Sequence, residues 1–189
     1  MTTAASYTAF VSPEDYLAGE VAAECRHEYL NGMVYAMAGG TQRHSAISVN
    51  ILATLHAQMR GRPCRPYGSD MLVRVEHGGD LRFYYPDVSI ICRPAGPESR
   101  VQTQPAVIFE VLSESTARTD TGEKRMAYLT IGTLEAYVLV DSTQRAITVW
   151  RRQGETWAHE VFAQPADRLT FINDEYQLLI SEIYESTGF

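Results

Sequence analysis

Lysine is almost missing from this chain. It has sixteen basic residues, and Lys124 is the one lysine among them; every other is arginine. Long apolar runs are missing too. No stretch approaches the ~18 consecutive apolar residues that a membrane span needs, so no membrane partner is expected. The opening residues MTTAASYTAF lack a basic segment followed by an apolar run, so no secretory signal is expected. Internal repeats and low-complexity segments are absent. Cysteine is scarce: Cys25, Cys64 and Cys92 are odd in number and show no paired spacing. That argues against a zinc site or a disulfide framework, and reads as reduced, buried thiols in a reducing, cytoplasmic setting. Positive charge is also short. The net charge is -7 and the pI about 5.2, unlike a protein that coats DNA by neutralising phosphates. A nuclease whose own acids carry a metal is not excluded.

What is present is a chain of 189 residues, 45% apolar, enough to bury a sizeable core in one domain spanning 1–189. Ser12-Pro13-Glu14-Asp15 reads as a helix start, with a capping serine, proline at the first helical position and acids in the first turn. The helix runs to about Gly19. Asn31-Gly32 between two runs of strand formers signals a two-residue hairpin in HEYL-NG-MVYAM. From about Thr41 to Arg60, Ile47, Ile51, Leu55 and Met59 recur at i, i+4 spacing and predict a helix stopped by Gly61 and Pro63. Asp70–Val75 predicts a strand. Leu81–Tyr84 and Asp87–Cys92 predict a second, interrupted by Pro86, and a proline-rich loop spans 93–105. Ala106–Leu112 is apolar except for Glu110, as a strand covered on both faces reads. Asp120–Ile131 predicts a helix, with Asp120 and Glu123 as a capping box. Ala136–Val140 predicts another buried strand, and 146–151 with 156–162 a hairpin about Gly154. The tail predicts a strand at 178–180 and a short helix at 181–184. The order implies a mixed α/β layer fold: a core of about 41–141, an N-terminal helix and hairpin over 12–38, and C-terminal β additions over 146–189.

Among the acids, Glu110 is the most informative, because a carboxylate inside an apolar strand must be paired, hydrogen-bonded or metal-bound. An ion pair with an arginine would satisfy it, and so would a metal. Asp87 follows Pro86, which suits a strand beginning. It reads either as a turn aspartate capping the strand or as a second carboxylate that, with Glu110, holds a divalent cation through oxygen ligands. Lys124, Ala127, Tyr128 and Ile131 share a helical stripe, so the lysine should face the sheet. It stands at the unfavourable end of the helix dipole, where Asp120 and Glu123, or a phosphate near Glu110, would offset it. Glu28 reads as an exposed hairpin acid. His44 reads as a satisfied helix-end histidine or as a group aimed at the site. Asp70 and Asp141 are supporting acids or turn residues, and Trp150, Arg151 and Arg152 read as one exposed hairpin face.

These residues carry a resemblance. YYPDVSIIC followed by VIFEVLSESTARTDTGEKRMAYLTIGTLEAYVLVD is similar to the Uma-type endonuclease family of the PD-(D/E)xK restriction-endonuclease-like superfamily. The matching positions are Pro86-Asp87, Glu110 to Ser113, Ser115-Thr116, Asp120, Lys124 and Val140-Asp141, and the likeness extends over about Ser12 to Arg152. It implies a mixed β-sheet core flanked by helices and a Mg2+- or Mn2+-dependent endonuclease acting on DNA. By the same resemblance Asp87, Glu110 and the Val111 carbonyl hold the metal, and Lys124 is the catalytic cation. Glu28, His44 and Asp120 support it. Nucleases of this architecture often pair to cut both strands, which leaves room for a homodimer. Two departures stand out: Leu112 occupies the superfamily's usual lysine position, which moves that role to Lys124, and Glu114 replaces a proline. A catalytically inactive nuclease fold used for binding or assembly is the alternative, and another phosphate ester is a further candidate substrate.

Overall fold

The computed structural model describes residues 10–37, 39–114 and 116–189; Ser115 of the EVLSEST motif lies outside them. In chain order the elements are α1 (Pro13–Glu20), β1 (His27–Leu30), β2 (Met33–Ala36), α2 (Gln42–Gln58), β3 (Arg65–Gly68), β4 (Leu72–His77), β5 (Asp80–Tyr84), β6 (Val88–Ile91), β7 (Val101–Gln102) and β8 (Pro105–Leu112). A helical segment follows, made of α3 (Ala117–Thr119), a π turn (Asp120–Lys124) and α4 (Arg125–Tyr128). Then come β9 (Ala136–Asp141), β10 (Ile147–Gln153), β11 (Thr156–Phe162), β12 (Arg168–Phe171), β13 (Tyr176–Leu179) and α5 (Ile180–Ile183).

β8 and β9 are buried along nearly their whole length, and they pair in parallel at the middle of a six-stranded sheet of order β11-β10-β9-β8-β6-β3. Both faces of that sheet are covered. On one side, Ile47, Ile51, Leu55 and Met59 of α2 pack on Val107, Phe109 and Val138, joined by the β12–β13 hairpin and α5. On the other, Ala127, Tyr128 and Ile131 pack with Val73, Val75 and Tyr84 against Ile108, Tyr137 and Leu139. A second, five-stranded sheet of order β2-β1-β5-β4-β7 supplies Val73, Val75 and Tyr84, and α1 closes its far face through Tyr16. This is the mixed α/β sheet core flanked by helices that the sequence implies. No helix among the described residues is long and apolar enough to cross a membrane.

Several local expectations are corrected. Leu81–Tyr84 and Asp87–Cys92 do not form one interrupted strand: β5 belongs to the second sheet and β6 to the central one. Tyr85-Pro86-Asp87 is the crossover, and Pro86, with no N–H to give, ends one ladder before the next begins. β3, β7 and β12 carried little signal, because they are short and β3 contains Pro66 and Gly68. The cysteines are not three buried, reduced thiols. Cys64 and Cys92 are bonded to each other, one step beyond the Arg65–Ile91 pair that ends the β3–β6 ladder, and Cys25 is exposed. The antiparallel register brings together two positions whose sequence separation is 28. Cysteine usage therefore gives no support for a reducing compartment.

Phe109 is fully buried at the centre of β8, edge-on to Phe171 with ring centroids 5.3 Å apart. Phe109→Ala is expected to cost about 3–5 kcal/mol, the usual range for emptying an aromatic from a core. Denaturant unfolding followed by circular dichroism measures it, and a loss under about 1 kcal/mol would contradict this packing.

Candidate active site

The site begins where β6 and β8 run side by side. Asp87 stands just before β6, and its Oδ2 accepts a hydrogen bond from the Val111 N–H at 2.7 Å. In return the Asp87 N–H donates to Glu110 Oε2 at 3.4 Å. Each carboxylate thus takes the place of a ladder acceptor at the end of the strand pair, where Pro86 breaks the pattern. That lacing fixes the two acids relative to one another.

Lys124 closes the site from the helical side. Its Nζ lies 2.8 Å from Glu28 Oε1, 3.3 Å from Glu110 Oε1 and 3.3 Å from Asp120 Oδ1. It also lies 5.6 Å from the centre of the Tyr84 ring. The Tyr128 hydroxyl donates to Glu110 Oε1 at 3.2 Å. Lysine, Glu110 and Asp120 are all buried. Burial raises the pKa of Glu110 well above its ordinary value, and it raises Glu28 and Asp120 as well; the Lys124 ammonium opposes each shift. Burial on its own would lower the Lys124 pKa, but Glu110, Glu28 and Asp120 outweigh it and hold the amine charged. Glu28 Oε1 and Asp120 Oδ1 are buried without a well-formed hydrogen bond, so the ammonium is their compensation.

The expected capping box is absent. Asp120 has helical φ and ψ and sits inside the helical segment, with its carboxylate on Lys124. Glu123 instead contacts Arg82 Nε at 3.0 Å and accepts from the Tyr84 hydroxyl. The π turn over Asp120–Lys124 is a local device of the kind that re-aims side chains at functional positions. Glu28 is not an exposed hairpin acid: β1 pairs with β5 and turns its side chain, 13% exposed, onto Lys124. His44 is not merely a helix-end histidine either. Thr41 caps α2 by accepting from the His44 N–H at 3.2 Å, and the ring Nε2 stands 3.3 Å from Asp87 Oδ2. The contact with Asp87 raises the His44 pKa against the opposing effect of burial, and the Val111 carbonyl adds to the rise.

Other candidates lie elsewhere. Asp70 is exposed and pairs with Arg26. Asp141 is a turn residue, accepting from the Thr143 N–H at 2.7 Å and from Gln144 Nε2 at 2.8 Å. The Trp150–Arg152 stretch is half-buried rather than an exposed face. Arg125 lies 4.6 Å from the Trp150 ring, and Arg152 donates to the Ile131 and Leu134 carbonyls at 2.6 and 2.7 Å. Leu112 packs in the apolar layer beside Ile108. Two partners went unassigned in the sequence, Tyr128 and Tyr84. Tyr128 was findable, since it lies four residues beyond Lys124 on the same stripe; Tyr84 was not, because nothing local links it to the helix.

His44, Asp87, Glu110, Val111, Asp120 and Lys124 all line one small pocket of about 60 Å³. Among the described residues no three His, Cys, Asp or Glu side chains are arranged to hold an ion by themselves. The donor set of two carboxylates and a main-chain carbonyl is nonetheless all oxygen, which suits a hard divalent cation that keeps several of its own waters.

A central mixed sheet flanked by helices is the fold of a restriction-endonuclease-like protein. Residues 13–175 match the model of the Uma2 family, described as "Putative restriction endonuclease". The chain is 32% identical over 180 residues to "Uncharacterized protein slr1290" of Synechocystis sp., covering 95% of this chain and 94% of that protein. It is 27% identical over 151 residues to "Uncharacterized protein sll1609" of the same organism, covering 78% of this chain and 84% of the other. A crystal structure of "a putative nuclease belonging to DUF820" from Anabaena variabilis superposes with a TM-score of 0.75 at 20% identity, covering 94% of this chain and 99% of that one. The chain belongs to the Uma2 family.

The charge arrangement sets the pH response of the fold. Glu28, Glu110 and Asp120 have raised pKa values, so between the ordinary carboxylate range and those raised values the folded state holds protons that the unfolded chain has released. Their contribution to stability therefore grows as pH falls through that window. Removing Lys124 takes away the cation that offsets their burial. Lys124→Ala is expected to lose about 3–5 kcal/mol near pH ~8, the range for breaking a buried pair from one side. Much of that loss should be recovered near pH ~5. Urea unfolding in chelator across this range tests it, and parental and variant curves that run parallel would refute it.

Proposed function

We propose that this protein is a metal-dependent endonuclease that hydrolyses phosphodiester bonds of DNA. One observation carries the reading: Asp87, Glu110 and Lys124, from three separate segments of the chain, converge on one small pocket. Family membership supports a nuclease-like role. Asp87, Glu110 and the Val111 carbonyl would hold Mg2+ or Mn2+. Bound there, the cation would polarise the scissile phosphate and help ionise the attacking water.

The remaining work falls to side chains of this chain. The hydrogen bonds between the two acids and the main chain keep the oxygens aimed without help from solvent. Lys124 reaches Glu110 directly, and its ammonium would orient the attacking water or meet charge gathering on the phosphate oxygens. Tyr128 and Asp120 restrain the other sides of Glu110 and Lys124 and act as positioning residues.

Lys124→Ala is an unsuitable test of catalysis, because the same lysine supports the fold. Lys124→Arg keeps the charge and changes its shape. It is expected to keep the parental circular dichroism spectrum and lose cleavage by about 10²–10³-fold, the effect of losing one transition-state donor. Cleavage at the parental rate would remove Lys124 from the mechanism. In parallel, calorimetry with Mn2+ should detect a site that Asp87→Asn and Glu110→Gln abolish. Equal heats from all three proteins would favour the inactive nuclease-fold reading.

A further inference from the structure

The carboxylate pocket adjoins a groove of about 780 Å³. The two cavities share Gly39, Gly40 and Ser113. The groove lies at the carboxyl ends of the parallel strands β8 and β9, where Ser113 and Ser142 follow the last strand residues. Open α/β sheets take their ligands at this end of parallel strands. Its opposite wall is the start of α2, with Arg43 next to the His44 that touches Asp87.

Arg43 is held in an unusual way. Its Nε donates to the Thr187 carbonyl at 3.0 Å, NH1 donates to the Ser142 carbonyl at 3.4 Å, and the guanidinium lies 4.7 Å from the Phe189 ring centre. These partners orient the group without cancelling its charge. A fixed cation in a polar groove that leads to a hydrolytic site suits a phosphodiester, since a planar guanidinium matches phosphate geometry. Glu114 stands exposed on the same groove and would repel such a ligand.

We propose that this groove is the track for the substrate strand, and that Arg43 grips a backbone phosphate flanking the bond to be cut. The inference rests on the nuclease reading above and adds the direction in which the strand leaves the site. Arg43 is a binding residue here, not a participant in bond cleavage. It also joins the end of the chain to α2, so the wall of the track and its cation are fixed by the same contacts.

The test is the salt dependence of binding to a fluorescently labelled DNA duplex, read by anisotropy in chelator so that nothing is cut. Arg43→Gln should weaken binding about tenfold at low salt and lower the magnitude of the log–log salt slope by about 1, the signature of one lost phosphate contact. Arg60→Gln, in the exposed turn just beyond the far end of α2, removes the same charge and should leave the slope near the parental value. Arg43→Lys should keep most of the slope, and Glu114→Gln should tighten binding. If Arg43→Gln and Arg60→Gln behave alike, the effect is one of net charge and the track is wrong, although the nuclease reading stands. If Arg43→Lys behaves like Arg43→Gln, the residue serves only to hold the chain end, and the phosphate grip is overturned. Failure of the parental protein to bind any duplex would instead strike the nuclease reading itself.

Discussion

One ammonium against three carboxylates, two of them buried and the third nearly so, is the constraint around which this molecule is arranged. Glu28, Glu110 and Asp120 come from β1, β8 and the π turn, and Lys124 is the cation they share. Charges buried together are tolerable only when geometry is close and complementary. That requirement explains features that otherwise look unrelated. The helical segment widens to a π turn over the residues that carry both Asp120 and Lys124. The second sheet lies close enough for β1 to deliver Glu28, and for β5 to place Tyr84 under the ammonium. The N-terminal strands are therefore part of the site's electrostatics as well as a cover for the core.

The other half of the site is held differently. Asp87 and Glu110 are tied to main-chain N–H groups across the strand pair, so their positions follow from backbone register rather than from side-chain packing. Pro86 makes this arrangement available by ending the β5 ladder and leaving Asp87, the residue just before β6, outside the ladder. A flexible pair of acids would have to be ordered by any ligand it held; this pair is ordered already, so that entropic cost would not arise.

What could be read from residues alone was what depends on near neighbours. The stripe of Lys124, Ala127, Tyr128 and Ile131 faced the sheet as its spacing implied, and Glu110 was conspicuous as a charge in an apolar strand. The helix over 42–58 followed from Ile47, Ile51 and Leu55. What escaped depends on partners distant in sequence. Nothing in HEYLNG says that Glu28 meets a lysine nearly a hundred positions later. Nothing in YYPDV says that its two halves enter different sheets. The Cys64–Cys92 bond needed the β3–β6 register, and the weak β3 signal hid that register. Asp120 and Glu123 matched a capping pattern, yet the tertiary pull of Lys124 and of Arg82 took both side chains elsewhere.

The near-total replacement of lysine by arginine has a consequence for handling the protein and for its covalent chemistry. Lys124 is the only lysine and is buried. The folded surface therefore offers no side-chain primary amine. Acylating reagents, aldehyde crosslinkers and enzymes that attach acetyl groups or isopeptide-linked tags to lysine meet no accessible acceptor side chain until the fold opens. Appearance of such a label on Lys124 would accordingly report that opening.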